Sequence, residues 1–534
     1  MISVTLSETH LASLDTSIQH LVELNAASRL ANKDFTLWGK PAEAEASIRL
    51  GWVNSAAEAN AFLPKLYEVK ADFDRIGISR IVLCGMGGSS LAPEVISKTF
   101  GVELVILDST NPAQVLDALK ADLSITAVVV SSKSGSTVET DSQKRVFEDA
   151  FIQAGIDPAK RVVIVTDPGS ALEKSGIDAG NTVFQADQTV GGRYSALTAF
   201  GLVPSGLAGV DCKKLTDQAL EVSDLLASDN RDNPAIVLAA AIARTQGANG
   251  FKNKIGIISD SNSLPDFADW AEQLIAESTG KEHKGVLPVV LDEDSFETKN
   301  KLDDLLTVSV SSSTNYSAGA DLSVVGELGA QFLLWEYATA LASILLEVNP
   351  FDQPDVESAK IAARGLLAQK SDIASPDFID EGTSINAAGI DISGAKDLKT
   401  VISKFIGSIT DHGYFSIHAY VNRNENLGLK ELRDLIAERT KRPTTLGFGP
   451  RFLHSTGQFH KGGPAEGCFL QIISKFEQDL AIPGRDFTFG ELIASQAAGD
   501  AKVLAEHNRP VLTLLLANPI NDLKRLVDLI SEVA

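Results

Sequence analysis

Residues 1 to about 45 place Leu and Ala at helical spacing, close with Thr36-Leu37-Trp38-Gly39 and show no strand-like alternation, which predicts a helical arm packed on a larger body. From Arg80 the pattern changes to short apolar runs at 81–84, 104–107, 127–130 and 162–165, each followed by a Gly/Ser turn and a helical stretch. Runs this short and this uniformly apolar predict parallel strands buried on both faces. Repeated strand, turn and helix units build a doubly wound sheet, whose ligands sit beyond the carboxyl ends of the strands. A second set, with runs at 255–259, 285–291 and 306–310 and a long helix over about 328–347, predicts a second α/β lobe. The expected domains are therefore 46–245 and 246–410. Helical spacing resumes over about 356–368, and the Ser/Asp/Gly-rich stretch to Gly394 predicts a surface connection. Residues 411–534 read strand 414–421, helix 428–440, strand 444–449, strand 468–474, helix 488–506 and strand 510–516. That βαββαβ order predicts a C-terminal ferredoxin-like domain.

Composition narrows the function. The 534 residues are 44% hydrophobic, enough for a large core. Forty-seven Lys and Arg against 70 Asp and Glu give a net charge of −23, which argues against a nonspecific grip on nucleic acid or an anionic membrane, so any phosphate site must be local. No apolar run approaches the roughly 20 residues of a membrane span, and no basic N-terminal segment precedes a long apolar one. The expectation is a cytoplasmic protein. Cys84, Cys212 and Cys468 lie far apart with no CxxC pair, which predicts neither a disulfide framework nor a thiolate metal site.

Two Gly/Ser turns follow predicted strands. Gly85-Met86-Gly87-Gly88-Ser89-Ser90 opens a helix whose first amides suit an anion. It half-matches a dinucleotide fingerprint, with Asp108 where a ribose-binding acid would fall and Ser90 in place of the third glycine; a plain tight turn reads equally well. Ser131-Ser132-Lys133-Ser134-Gly135-Ser136-Thr137 offers five hydroxyls and one ammonium at a helix start, which suits a phosphate monoester, against the alternative of a polar helix cap with a solvated lysine. Downstream, Gly191-Gly192-Arg193 precedes an apolar helix, where its glycines would let the backbone approach a ligand and its arginine suits an oxyanion, though by itself it reads as an ordinary Gly-rich helix entry. Gln273 and Glu277 share a face of a helix over 266–280, and a carboxylate in a last helical turn has its proton affinity raised, which suits a general base, against the commoner alternative of a surface glutamate. Asn349-Pro350-Phe351-Asp352-Gln353 ends the long helix, with Lys360 seven residues on.

In this order, Gly87-Gly88-Ser89, Ser132-Lys133 with Thr137 and Glu139-Thr140, Gly191-Gly192-Arg193, Gln273 with Glu277-Ser278-Thr279-Gly280-Lys281, and Phe351-Asp352-Gln353 with Lys360 resemble the glucose-6-phosphate isomerase family over about 40–410. Details such as Phe452-Leu453-His454-Ser455-Thr456-Gly457-Gln458 are most similar to the isomerase part of bifunctional transaldolase/isomerase proteins. The resemblance implies two sugar-isomerase (SIS) domains with the site between them. It also implies interconversion of glucose 6-phosphate and fructose 6-phosphate through a cis-enediolate, no cofactor and no metal, and a homodimer. Carried over by position, Gly88, Ser89, Ser132, Lys133, Ser134, Thr137 and Gly192 would bind substrate with Gln273 and Gln353. Glu277 would move the proton between C2 and C1, Arg193 would stabilise the enediolate and Lys360 would assist ring opening.

One role lacks its residue, because the family's Gly-Gln-His stretch aligns with Gly329-Ala330-Gln331-Phe332, and phenylalanine cannot shuttle a proton. Of eight histidines, His454 and His460 lie in the polar loop 447–464, which is long enough to close over a sugar. As a residue type histidine titrates near neutrality, so His454 is the expected replacement and His460 a weaker one, with a purely structural loop as the alternative. Three competing functions remain. These are another phosphosugar isomerase, a catalytically silent sugar-phosphate sensor, for which a base at Glu277 would be unexpected, and a nicotinamide dehydrogenase, disfavoured by Ser90.

Overall fold

The computed structural model describes residues 2–314, 316–369, 375–425 and 427–533. Its first sheet has the order Val105–Leu107, Arg80–Gly85, Thr126–Ser131, Val162–Thr166, Thr182–Gln185, all parallel. The strand order reverses between Arg80–Gly85 and Thr126–Ser131, and the two Gly/Ser turns leave the carboxyl ends of these two strands. They therefore flank the crevice that such a reversal opens. The three central strands, Arg80–Gly85, Thr126–Ser131 and Val162–Thr166, are buried on both faces, as continuous Val/Ile/Leu runs require.

The second sheet runs Leu322–Val325, Leu305–Ser311, Lys254–Ser259, Leu287–Leu291, again parallel. Its outer edge differs from expectation. Ser3–Leu6 pairs antiparallel with Leu322–Val325, so the N-terminal segment supplies a strand as well as helices. Four alternating residues are too few to stand out from the helical spacing that follows. The arm is also less peripheral than its sequence predicts, with Leu14, Ile18, Leu21 and Leu30 inside the main core. Helix Leu328–Leu346 is long and apolar enough to cross a membrane, and here it is buried in protein.

The C-terminal unit corrects the ferredoxin-like expectation. Its sheet has the order Phe378–Asp380, Thr383–Ala388, Val511–Leu516, Gly467–Ser474, Tyr414–Tyr420, Thr444–Phe448. Strands 414–420, 444–448, 467–474 and 511–516 are parallel to their neighbours in that set, whereas a ferredoxin-like sheet is antiparallel. The difference arises at 449–466. This stretch is a folded crossover, containing the short helix Gly457–Gly462, that returns the chain to pair on the other side of Tyr414–Tyr420. The polar stretch before Gly394, expected as a surface connection, supplies two antiparallel strands, 378–380 at the sheet edge and 383–388 beside it. The described residues are thus α/β with three mainly parallel sheets.

Candidate active site

Parts of all three units meet at a cleft of about 360 Å³. The turn Gly87–Ser89 packs directly on the next turn of the site, since a Cβ on Gly88 would stand 2.0 Å from the carbonyl oxygen of Gly192. Only glycine permits that approach. Ser195 Oγ then donates to Gly192 O at 2.6 Å and to Gly88 O at 3.4 Å, fixing the two loops as one wall.

The opposite wall is the Ser131–Thr137 turn. Thr137 is the N-cap of helix Val138–Gln153, yet its side chain makes no capping bond, which leaves this helix start without a side-chain partner from its own cap. Ser132 Oγ and Thr137 Oγ1 lie 3.0 Å apart, as do Ser134 and Ser136 hydroxyls at 3.1 Å. Lys133 is less available than its sequence position suggests, because Nζ donates to Asp167 Oδ2 at 2.6 Å and to Gln188 O at 3.3 Å. Burial raises the Asp167 carboxyl above its usual value while Lys133 works against that rise. An anion here would be held chiefly by hydroxyls and amides.

Glu277 stands across the cleft on helix Phe267–Thr279, 5% exposed. Its Oε2 accepts from Arg193 Nη1 at 3.3 Å and Gln273 Nε2 at 3.2 Å. Burial raises its proton affinity above the ordinary carboxyl value, with Arg193, Lys360 and the Gln273 bond opposing. Arg193 is 4% exposed and is oriented by backbone carbonyls: Nε and Nη2 donate to Pro350 O at 3.2 and 2.9 Å, Nη2 also to Asp352 O at 2.8 Å, and Nη1 to Gln353 Oε1 at 3.2 Å. A guanidinium with Nε and Nη2 tied to main chain presents Nη1 in a fixed direction. Lys360 lines the same cleft from helix Val356–Gln369, its ammonium 3.9 Å from Glu357.

His454 also reaches the cleft. Its backbone oxygen accepts from Gln273 Nε2 at 2.8 Å and would lie 2.4 Å from a Cβ on Gly87, so the residue is pressed between helix Phe267–Thr279 and the first turn. The ring Nε2 lies 2.9 Å from Glu139 Oε1, which also accepts from Gln496 Nε2 at 2.7 Å. Burial acts to raise the Glu139 carboxyl, but the His454 imidazole and Lys360 outweigh it and hold the group below its usual range. The loop expected to swing over a sugar is in fact built in, as a turn Arg451–His454 and a helix Gly457–Gly462 whose residues are buried.

His460 is not at the cleft. It is 2% exposed inside the third unit, with Nδ1 3.0 Å from Tyr414 Oη and Nε2 3.5 Å from Ser416 Oγ, and burial drives its pKa far down. His460 lies six residues beyond His454 on the separate buried helix Gly457–Gly462, a placement that a loop reading could not reveal. Phe332 is likewise a core residue, packed edge-on to Trp270 at 4.6 Å, and Gln331 accepts from Trp335 Nε1; the 329–332 stretch is no part of the site. Asp108 is spent on Arg451 at 3.0 Å and Arg423 at 3.7 Å, which removes the acid that a dinucleotide reading needs.

Two residues of the site have no role that the sequence alone reveals. Glu139 belongs to one of the motifs, and only its approach to His454 shows its use. Arg49 lines the cleft from a stretch with no Gly-rich signal, held by Glu45 at 2.7 Å and Gln188 O at 3.0 Å.

Residues 68–290 match the phosphoglucose isomerase family model. Among similar proteins, the glucose-6-phosphate isomerase of a Cyanothece species is 28% identical over 59% of this chain and 71% of its own. That of Mycoplasma capricolum is 27% identical over 67% of this chain and 97% of its own. Of solved structures, a hypothetical protein of Thermus thermophilus superposes with a TM-score of 0.58 at 24% identity, covering 68% of this chain and 100% of that one. A glucose-6-phosphate isomerase from Chlamydia trachomatis gives 0.54 at 17% identity, covering 70% and 90%. The structural neighbours share the fold. The chain carries a match to phosphoglucose isomerase over residues 68–290 and is an isomerase.

Proposed function

We propose that the protein interconverts glucose 6-phosphate and fructose 6-phosphate through a cis-enediolate. The observation that carries this reading is the buried carboxylate of raised proton affinity, Glu277, held by Arg193 and Gln273 across one small cleft from a hydroxyl-rich helix start. The Ser132–Thr137 turn, with Ser89 and the Gly88 and Gly192 backbone, anchors the phosphate, and the attached sugar then spans the cleft to Glu277.

On the open-chain aldose, the Glu277 carboxylate removes the C2 proton. The C–H electron pair becomes the C1–C2 double bond, and the C1 carbonyl electrons pass to O1 as negative charge. Arg193, already neutralising Glu277, faces that charge as it develops, which is where a preorganised cation lowers a barrier most. Glu277 returns a proton to C1 while the O2 hydroxyl proton passes to O1, which leaves the C2 ketone. Gln273 and Gln353 orient the sugar hydroxyls. His454, oriented by Glu139, passes a proton at the ring oxygen during opening, and Lys360 assists there. The same reading carries a homodimer and a cytoplasmic setting, where the buried thiols of Cys84, Cys212 and Cys468 stay reduced.

A panel of aldose and ketose phosphates tests it, read as product formed. Fructose 6-phosphate should be turned over best and unphosphorylated fructose hardly at all. Thr137→Val should raise the Michaelis constant for the phosphorylated sugar by the loss of one charge-assisted bond, about 1.5–3 kcal/mol, with kcat nearly kept. Better turnover of a different sugar phosphate would reassign the substrate, and an unchanged Thr137→Val would move the phosphate elsewhere.

A further inference from the structure

Lys281 directly follows Gly280, the residue that ends the helix bearing Gln273 and Glu277. The proposed reaction gives it no task. It is nevertheless 1% exposed, and a buried ammonium is costly unless its bonds are well made. Nζ donates to both the carbonyl oxygen and Oδ1 of Asp352, each at 2.7 Å. The same Asp352 carbonyl accepts from Arg193 Nη2 at 2.8 Å, and the next residue, Gln353, accepts from Arg193 Nη1. Lys281, Asp352, Arg193 and Glu277 thus form a chain of polar contacts that ends on the base through the Arg193–Glu277 bond.

The other side of this helix end is fastened too. Gln458 Nε2 donates to Gly280 O at 3.0 Å and to Asp355 Oδ2 at 2.6 Å, while Asp355 N donates to Gln458 Oε1 at 3.0 Å. His283 N donates to Gly462 O at 2.8 Å. The base helix therefore ends at the point where the 349–355 turn and the segment after His454 are both tied down.

We propose that Lys281 is a positioning residue, whose two bonds to Asp352 hold the 349–353 turn where Arg193 and Gln353 face the reacting carbons. It does so without touching substrate, and the inference rests on the isomerase reading of Glu277 and Arg193. The charged groups facing the ammonium are Arg193 from the Gly192–Tyr194 turn, Asp352 from the 349–353 turn, and Glu277 from its own helix. Burial, reinforced by Arg193 and opposed by Asp352 and Glu277, brings its pKa down to about 8. The charge is therefore present below about pH 8 and lost above it, so the clamp weakens on the alkaline side.

The test is kcat and KM against pH, from about 6 to about 10, for the parent, K281M, K281R and D352N on fructose 6-phosphate. The parent kcat should fall on the alkaline side near pH 8. D352N removes the facing carboxylate and should move that fall to lower pH, while K281R, charged throughout, should abolish it. K281M should lose about 10–100-fold in kcat with KM changed by less than about threefold, the pattern of a misplaced group that binds nothing. Should K281M not fold, the opposite shifts in D352N and K281R decide alone. An alkaline fall unchanged in K281R and D352N, or parental kcat in K281M, overturns the inference and leaves the isomerase reading standing. A parent that turns over no fructose 6-phosphate at any pH overturns both.

Discussion

Glu277→Gln is expected to keep affinity for the sugar phosphate and to lose about 10²–10⁴ in kcat, the cost of removing a positioned general base. The amide has the carboxylate's size, and its oxygen can still accept from Arg193 Nη1 and Gln273 Nε2, so the surrounding bonds survive. What disappears is the ability to take a proton from carbon. The pH dependence follows from the same burial. Glu277 must be ionised to act, and its raised proton affinity places the acid limb of kcat/KM above the ordinary carboxyl value, with activity lost as pH falls through it. Arg193→Met removes the opposing cation, so it should move that limb to still higher pH while also lowering kcat. Parental kcat in Glu277→Gln would dismiss the residue as the base.

His454→Ala should cut turnover of cyclic sugar phosphate by about 10²-fold or more and leave open-chain substrate much less affected. The geometry motivates the split. Ring Nε2 is committed to Glu139 at 2.9 Å, which leaves Nδ1 as the nitrogen for a substrate proton. Glu139 is fixed in turn by Gln496, whose Oε1 accepts from Thr110 Oγ1 at 2.7 Å, so the imidazole is held by a chain of three side chains. Glu139→Gln should give a smaller loss of the same kind, because it frees the ring without deleting it. His460→Ala should affect stability instead, since that ring lies in the core with Tyr414 and Ser416. Equal losses on cyclic and open-chain substrate for His454→Ala would make the residue structural.

The α/β class and both Gly/Ser turns are legible in the sequence because buried parallel strands and helix starts write local patterns. The base helix is legible too: predicted over 266–280, it is observed at Phe267–Thr279. The third unit is not, because strand direction is not local. The sequence shows six elements in order, but only the fold of 449–466 decides whether Gly467–Ser474 returns parallel or antiparallel. The edge strand Ser3–Leu6 escapes notice for lack of length. At the site, hydroxyl clusters and glycines mark the walls, but pairings across hundreds of residues leave no trace in spacing. Glu139 meets His454 across 315 positions and Arg193 meets Gln353 across 160. The same blindness overvalues Lys133, whose partner Asp167 lies 34 residues away in the next loop, and makes His460 a candidate although its ring is bonded to Tyr414, 46 positions earlier.

Proton transfer by Glu277 is most directly tested by isotope fate. Glucose 6-phosphate deuterated at C2 is converted in ordinary water, and the product is examined by NMR for deuterium at C1. A carboxylate that takes the proton and exchanges it with solvent before returning it predicts deuterium partly transferred to C1 and partly lost to water. Glu277→Gln should then show neither transfer nor loss on the parent's time scale. Glu277→Gln that moves deuterium to C1 or releases it to solvent at the parent's rate would contradict proton transfer by Glu277.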